Sequence, residues 1–504
     1  MNGKKTIKML KGETWFACVV GYGEQMPFDC DTRLTCKMSE ANFTNQTSPL
    51  MLSSAGRVIH SEDFDFEIEN GKIIFSEIKG NFSVIAAGKT LKDAYLYAME
   101  RFYPANGKIP PEIFFRKPQF NDWMEVGFVQ TQQKIISFAE EIKSSGYPYG
   151  VLMIDDKWSD YYGAFDFNGS RFHNPKEMFD KLHEAGFKVM LWETPFITAD
   201  SPEYRELSKR GLLIKNADGD VALREWWNGF SAILDLSNPK AAEWLRDKND
   251  GLMKSGADGF KLDGGDSKYY RKGDIAFSAE SPNELNKKYS EFAEEYEYNE
   301  LRSSFGSGGR ALVQRQSDKR HSWESLKKLI PSLLVQSLSG YAYSCPDMVG
   351  GGSEGDMEKT LDEELFVRYA ECAALMPMIQ FSKLPFRHLN KQNNELCKKF
   401  AKLHESFSDY IVELARRYST TNEPICRPIC YEFPDGGYER EMQMFMLGDK
   451  FLVAPVVEKG QSQKTVRLPS GKRWKYVPDG KIYDGGEIPT VNAPIDVLAF
   501  FEKL

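Results

Sequence analysis

The chain is predicted to be an α/β protein: a (β/α)8 TIM barrel, with a β-sandwich before it and a small β-domain after it. Three observations predict this. Between residues 111 and 415, apolar bursts alternate with amphipathic stretches, the pattern of parallel strands joined by helices. Successive bursts end in acidic or polar residues, as strands do when a barrel presents its chemistry at their C-terminal ends. On either side, the texture changes to short alternating runs broken by turn residues. At 504 residues the chain exceeds one compact domain.

Residues 1–110 contain runs such as Phe64-Asp65-Phe66-Glu67-Ile68-Glu69 and Lys72-Ile73-Ile74-Phe75, separated by Asn-Gly and Lys-Gly turns. They predict a sandwich closed by a short helix over 91–101. In the barrel region, the run 149–154 ends at Asp155-Asp156, 187–192 ends at Glu193-Thr194-Pro195, and 260–262 ends at Asp263. Segments 175–186 and 239–256 start with Pro and end with Gly, the asymmetry of helices. Over 416–504, strands are expected at 442–447, 451–457, 465–468 and 473–477.

Composition narrows the function classes. The net charge of −8 without a basic run argues against nucleic acid or an anionic membrane as partner. No apolar run is long enough to span a membrane. The charged opening around Lys4, Lys5, Lys8 and Lys11 lacks the apolar core of a secretory leader, and the eight cysteines form no CxxC. Both point to reduced thiols and a cytoplasmic protein. The six histidines form no HxH or HExxH pair, so neither a metal nor another cofactor is expected. Gly351-Gly352-Ser353-Glu354-Gly355 matches a nucleophile elbow in letters, but no apolar strand runs into it. The glycines at 306–309 and 350–352 lack a P-loop lysine and read as tight turns that let backbone approach a ligand or another strand. A homo-oligomer is compatible with the sequence.

What remains is carboxylates among aromatics and arginines. Asp263 stands at a strand end in Gly259-Phe260-Lys261-Leu262-Asp263-Gly264-Gly265-Asp266, and Asp318 follows in a polar stretch rich in Gly and Arg. Asp155 and Asp156 end another strand, with Trp158, Trp192, Trp226 and Trp227 nearby in sequence. Such a set suits a pocket for a small carbohydrate. Glycoside cleavage needs one carboxylate at the anomeric carbon and a protonated one at the leaving oxygen.

On these residues the chain resembles glycoside hydrolase family 31, the retaining α-glycosidases, over roughly 111–415. Asp263 with Asp266 three positions on resembles the family's nucleophile motif. Arg302-Ser303, the Gly-rich 304–310 segment, Asp318 and Trp323 resemble its acid/base region. Asp347, in Pro346-Asp347-Met348-Val349-Gly350-Gly351, matches another signature. The resemblance implies Asp263 as nucleophile and Asp318 as acid/base. It also implies a substrate-binding set of Asp155, Asp156, Trp192, Trp227, Lys261, Arg302, Arg315 and Asp347. A covalent glycosyl-enzyme follows, with carboxyl groups about 5–5.5 Å apart. Asp318 is then expected to have a raised pKa, supplied by the charge of Asp263 and partly offset by Arg302.

Two positions depart from the family's α-glucosidases, which carry Trp two residues before the nucleophile and three before the acid/base. Here they are Lys261 and Arg315. These cations either pair with Asp155, Asp156 or Asp266 as structural bridges, or donate hydrogen bonds to sugar hydroxyls. A family histidine in the late barrel loop is also missing, near Ser382. A branch of the family that is similar at these positions is associated with α-galactosides, and a polar wall would suit an axial 4-hydroxyl, so the resemblance implies exo-acting hydrolysis of terminal α-galactose from small glycosides. The alternatives are an α-glucosidase, a sulfoquinovosidase or a non-catalytic sugar-binding protein. The segment 201–226 is expected to lid the pocket or to contact a neighbouring subunit.

Overall fold

The computed structural model describes residues 3–40 and 45–504; residues 1, 2 and 41–44, all within the expected N-terminal domain, lie outside the described residues. That domain consists of two four-stranded antiparallel sheets. One is ordered Lys5–Lys8, Lys72–Lys79, Asp63–Glu69, Leu34–Lys37, and the other Trp15–Val19, Thr47–Ser53, Arg57–His60, Ser83–Ala86. Alternation puts Phe64, Phe66 and Phe75 into a shared core, Phe64 meeting Phe75 edge-on at 5.1 Å. The predicted helix is Leu91–Phe102, opened by a capping box in which Thr90 and Asp93 satisfy each other's backbone.

The barrel strands, numbered here β1–β8, are Gln119–Asn121, Val151–Ile154, Lys188–Glu193, Gly259–Leu262, Tyr298–Leu301, Gln314–Arg315, Ser344–Cys345 and Gln380–Phe381. All pairs are parallel, from β1 through β7 in order, with β8 returning beside β1. Among the described residues, no ladder joins β7 to β8. A single bridge, Met348 to Gln380, with Val349 N–H donating to Gln380 O at 2.7 Å, spans the gap. The helices Pro175–Glu184 and Pro239–Ser255 fall where Pro and Gly predicted them, capped by Asn174 and Asn238. Gly256 is required at the end of the second: its φ is +127°, and a Cβ there would lie 2.5 Å from Phe179 Cβ.

The final barrel helix, Lys391–Thr421, runs through the expected domain boundary at 415 and stops at Asn422, whose φ of 60° ends it. The C-terminal domain has a six-stranded antiparallel sheet with Phe500–Lys503 between Phe451–Val453 and Arg473–Tyr476, plus a two-stranded ribbon. The strand expected at 465–468 is instead Gln463–Thr465. Beyond it Val466 N donates to Pro489 O, and Leu468 donates to Glu487 O and accepts from Gly486 N, without extending the ladder. All eight cysteines are free and only Cys30 is exposed. Among the described residues, no helix is long and apolar enough to cross a membrane.

Candidate active site

The C-terminal ends of the barrel strands surround a cavity of about 180 Å³. This is below the roughly 300–1,000 Å³ of pockets for drug-sized ligands, and suits one sugar ring. Asp155, Asp156, Trp192, Trp227, Lys261, Asp263, Arg302 and Asp318 all line it, as expected.

Asp263 caps β4, its N–H prolonging the ladder to Glu193 O at 2.8 Å. Its two oxygens are held separately. Oδ2 accepts from Trp192 Nε1 at 3.0 Å, and Oδ1 accepts from Gly264 N at 2.9 Å with Arg302 Nε at 3.4 Å. Burial pushes this carboxyl up, but Arg302, Lys261 and Arg315 outweigh it and hold it well below the usual carboxylate range. Arg302, just past β5, donates to Asp266 Oδ2 at 2.8 Å and places Nη1 3.5 Å from Asp318 Oδ2. One guanidinium therefore contacts three carboxylates, and it also lies over the Trp227 ring at 4.9 Å.

Lys261, pointing inward from β4, bonds Asp155 Oδ2 at 2.5 Å. Burial pulls its amine down, but the carboxylates of Asp155, Asp263 and Glu300 together outweigh burial and Arg315, and the amine titrates higher than usual. Asn121 Nδ2 shares the same Asp155 oxygen at 2.7 Å. Asp156 accepts from Tyr162 and from Asn228 Nδ2 at 2.9 Å, and burial raises its carboxyl.

Arg315 and Asp347 do not line the cavity; they lie beneath it. Arg315, 1% exposed, donates to Asp318 Oδ1 at 2.6 Å and Asp347 Oδ1 at 2.9 Å, with Glu300 Oε1 3.2 Å from its Nε. Asp347 also accepts from Lys319 N at 2.7 Å. Both cations pair with carboxylates, Lys261 with Asp155, one of the expected partners, and Arg315 with partners not among those expected; of the two, only Lys261 also lines the cavity. Asp318 departs from expectation too. Burial and the charge of Asp263 push its carboxyl up, yet Arg315 and then Arg302 outweigh them and its pKa is lowered.

The 201–226 segment contains the helix Pro202–Arg210 and leads into a hairpin of Arg224–Trp226 with Gly229–Ile233. Its two-residue turn, Trp227-Asn228, carries the wall residue and the Asp156 donor, so the segment supports a pocket wall. Trp158 and Trp226 stand behind the lining: Trp158 Nε1 donates to Trp192 O at 2.8 Å, and Trp226 stacks on Phe196 at 4.2 Å.

Sequence reasoning missed Trp123, Met348 and Glu354 in the lining. Trp123 follows β1, whose polar Gln119 and Asn121 hid the strand. The glycine turn at 350–352 does bring backbone to the cavity: Gly352 lines it, and its carbonyl accepts from Trp123 Nε1 at 3.0 Å. Gln46 of the N-terminal domain, fully buried, was also missed; its Nε2 donates to the carbonyls of Arg302 at 2.9 Å and Arg315 at 2.8 Å.

Residues 119–414 match the glycosyl hydrolases family 31 TIM-barrel domain, and 422–503 match the family's C-terminal domain. The chain is 31% identical over 436 residues to the myogenesis-regulating glycosidase of Mus musculus, an alignment covering 83% of this chain and 60% of that protein. It is 24% identical over 421 residues to the alpha-xylosidase XylQ of Lactiplantibacillus pentosus, covering 76% and 54%. It is 24% identical over 505 residues to a sulfoquinovosidase of Agrobacterium fabrum, covering 91% and 73%. The chain thus spans little more than half the length of the first two relatives. In fold it is similar to a family 31 alpha-xylosidase from a soil metagenome, with a TM-score of 0.87 at 19% identity, covering 99% of this chain and 79% of that one. It is likewise similar to a dextranase of Flavobacterium johnsoniae, with a TM-score of 0.85 at 20% identity, covering 99% and 66%. The chain belongs to glycoside hydrolase family 31.

Proposed function

We propose that this family 31 glycosidase is a retaining, exo-acting α-galactosidase for small α-galactosides. The observation that carries the glycosidase reading is the single Arg302 guanidinium set against both Asp263 and Asp318 at a cavity sized for one sugar; retention is what the family resemblance implies. Asp263, kept ionised by its cations and by Trp192, attacks the anomeric carbon and forms an ester as the glycosidic bond breaks. Asp318 gives its proton to the departing oxygen, then removes one from the water that hydrolyses the ester. Because Arg315 and Arg302 favour its ionised form at rest, Asp318 takes up its proton as substrate displaces water from the site.

Specificity rests on the Lys261–Asp155 pair, which sets a donor beside an acceptor where the family's α-glucosidases carry an aromatic wall. A cation and a carboxylate together suit the paired hydroxyls of a galactose ring, one axial and one equatorial. Each cation expected at this wall is already matched by carboxylates, which disfavours a sulfonated sugar. Ser382 is no substitute for the histidine, since it does not line the cavity and its Oγ accepts from Met124 N at 2.7 Å.

The test is hydrolysis of aryl α-galactoside, α-glucoside, α-xyloside and α-sulfoquinovoside by wild type and by Asp263→Asn. Cleavage of the galactoside, lost in the variant, is expected. A glucoside or xyloside preference would retain the mechanism and refute the reading of Lys261. Binding of galactose without cleavage of any substrate would refute the enzyme.

A further inference from the structure

Asp347 stands just past β7, fully buried, with a φ of 81°. Residues other than glycine rarely adopt that backbone conformation, and those that do cluster where geometry serves function. Both carboxylate oxygens of Asp347 are used. Oδ1 accepts from Arg315 Nη1 at 2.9 Å, and Oδ2 accepts from Lys319 N at 2.7 Å. One carboxylate thus holds the chain on both sides of Asp318. The surrounding backbone supports the same segment. Gln316 N donates to Cys345 O at 2.9 Å, and Ser353 N donates to Lys319 O at 3.1 Å. Gly351, at a φ of +94°, leaves room for Lys319 O, which a Cβ would approach to 2.5 Å.

Asp318 depends on this arrangement. Among the described residues its carboxylate meets only arginines, Arg315 Nη1 at 2.6 Å and, more loosely, Arg302 Nη1 at 3.5 Å. Arg315 Nη1 is therefore shared between Asp318 and Asp347. An arginine committed wholly to Asp318 would hold it as a carboxylate. A second anion on the same nitrogen draws off part of that charge and repels Asp318 directly. Other charges face the pair. Asp263, Lys261 and Lys268 act on Asp318, Lys319 acts on both carboxylates, and Glu300 shares Arg315 at 3.2 Å from its Nε. Cys345 and Tyr369 also face Asp347, but burial raises both well above their ordinary values and they stay neutral.

We propose that Asp347 is a positioning residue for the acid/base, a role that rests on the acid/base reading of Asp318. It fixes the segment carrying Asp318 and shares Arg315, so that Asp318 can take up its proton when substrate binds. Asp347 does not line the cavity, so it acts through Arg315 and Lys319 and not on the sugar.

The test is Asp347→Asn, which removes the charge, keeps the shape and tolerates a positive φ. Asp347→Ser, which keeps an acceptor for Lys319 N, is the second variant. The substrates are a disaccharide and a glycosyl fluoride of whichever sugar wild type cleaves fastest as its aryl glycoside. Sharing one guanidinium, the two carboxylates titrate together, so kcat/KM is compared at pH above both steps. There the disaccharide value should fall about five- to tenfold in both variants, with the falling limb up to about one pH unit lower. Fluoride leaves with little protonation and should lose less than about threefold. Inhibition by the free sugar should stay within about twofold. In an Arg315→Gln background Asp347→Asn should not move the limb further, because Asp347 without its cation is already protonated. A limb that stays fixed or moves up, equal losses for both substrates, or equal shifts in both backgrounds would overturn the proposal. So would weakened sugar inhibition in step with a lowered melting temperature, or failure of both variants to fold, since either marks a structural role alone. Wild type that cleaves no glycoside would refute the glycosidase reading and this role with it; cleavage with a fixed limb would refute this role alone.

Discussion

Replacing Arg315 by Gln removes a cation that lies 2.6 Å from Asp318 Oδ1 without touching the cavity lining. With charge centres about 4 Å apart, such a pair is worth about 1 kcal/mol in water and about 4 kcal/mol at an effective dielectric near 20. The Asp318 carboxylate is 36% exposed, which screens the pair toward the lower figure. At about 1.4 kcal/mol per pH unit, the acid form of Asp318 should persist to a pH about one unit higher in the variant. Only that form can protonate a leaving group, so kcat/KM for an unactivated α-galactoside falls as pH rises through the Asp318 pKa of the free enzyme. In Arg315→Gln this falling limb should move up by about one pH unit, whereas Arg315→Lys, which keeps the charge, should stay near wild type. The assay is kcat/KM against pH for a disaccharide and for an aryl galactoside whose leaving group needs less protonation. The limb should move more clearly with the disaccharide. A limb that stays fixed in Gln, or moves equally in Lys, would refute the reasoning. Arg315 also separates Glu300 from Asp347, and burial already pushes both carboxyls up. The Gln variant should therefore protonate them instead of burying two bare anions, and thermal unfolding should show its stability loss growing with pH.

Three further outcomes follow from the same geometry. Lys261→Met leaves Asp155 buried without its cation, which should lower the unfolding free energy by about 3–5 kcal/mol in urea titrations and raise KM for the galactoside. Trp227→Ala removes a ring that is 40% exposed and sits under Arg302, so stability should change by no more than about 1 kcal/mol while KM rises about tenfold. Glu193 is buried with Asn249 as its only hydrogen-bonding side chain among the described residues, and burial pushes it from the usual carboxylate range up to about 8. A carboxyl raised in the folded state contributes stability that is full below its unfolded pKa and lost as pH climbs through about 8. Glu193→Gln should flatten the fall in stability between pH 5 and pH 8, measured by urea unfolding.

The strands that sequence periodicity revealed are those with apolar interiors, β2 and β3, together with β4 up to Lys261. The others were hidden because the barrel interior is polar. Gln380 on β8 donates to Gln119 on β1 at 3.0 Å and to Glu300 on β5 at 2.9 Å, and Arg315 on β6 faces Glu300. Two-residue strands of such composition, β6 and β8, carry no alternation to read. The lining carboxylates were legible because strand-end acids have few other positions in a barrel. The depth of Arg315 and Asp347 was not legible, since sequence spacing places a residue near the site without saying whether it faces the cavity or supports its floor. Gln46 was invisible for a different reason. It acts across domains, more than 250 positions from the carbonyls it holds.

The central claim is that Asp263 becomes covalently linked to the sugar. The direct measurement is to trap the enzyme with a slow, fluorinated α-galactosyl donor, digest it, and locate the added mass by tandem mass spectrometry. The account predicts one hexosyl adduct on Asp263, absent in Asp263→Asn. An adduct on Asp266 or Asp318, or turnover giving the inverted anomer with no adduct, would contradict it.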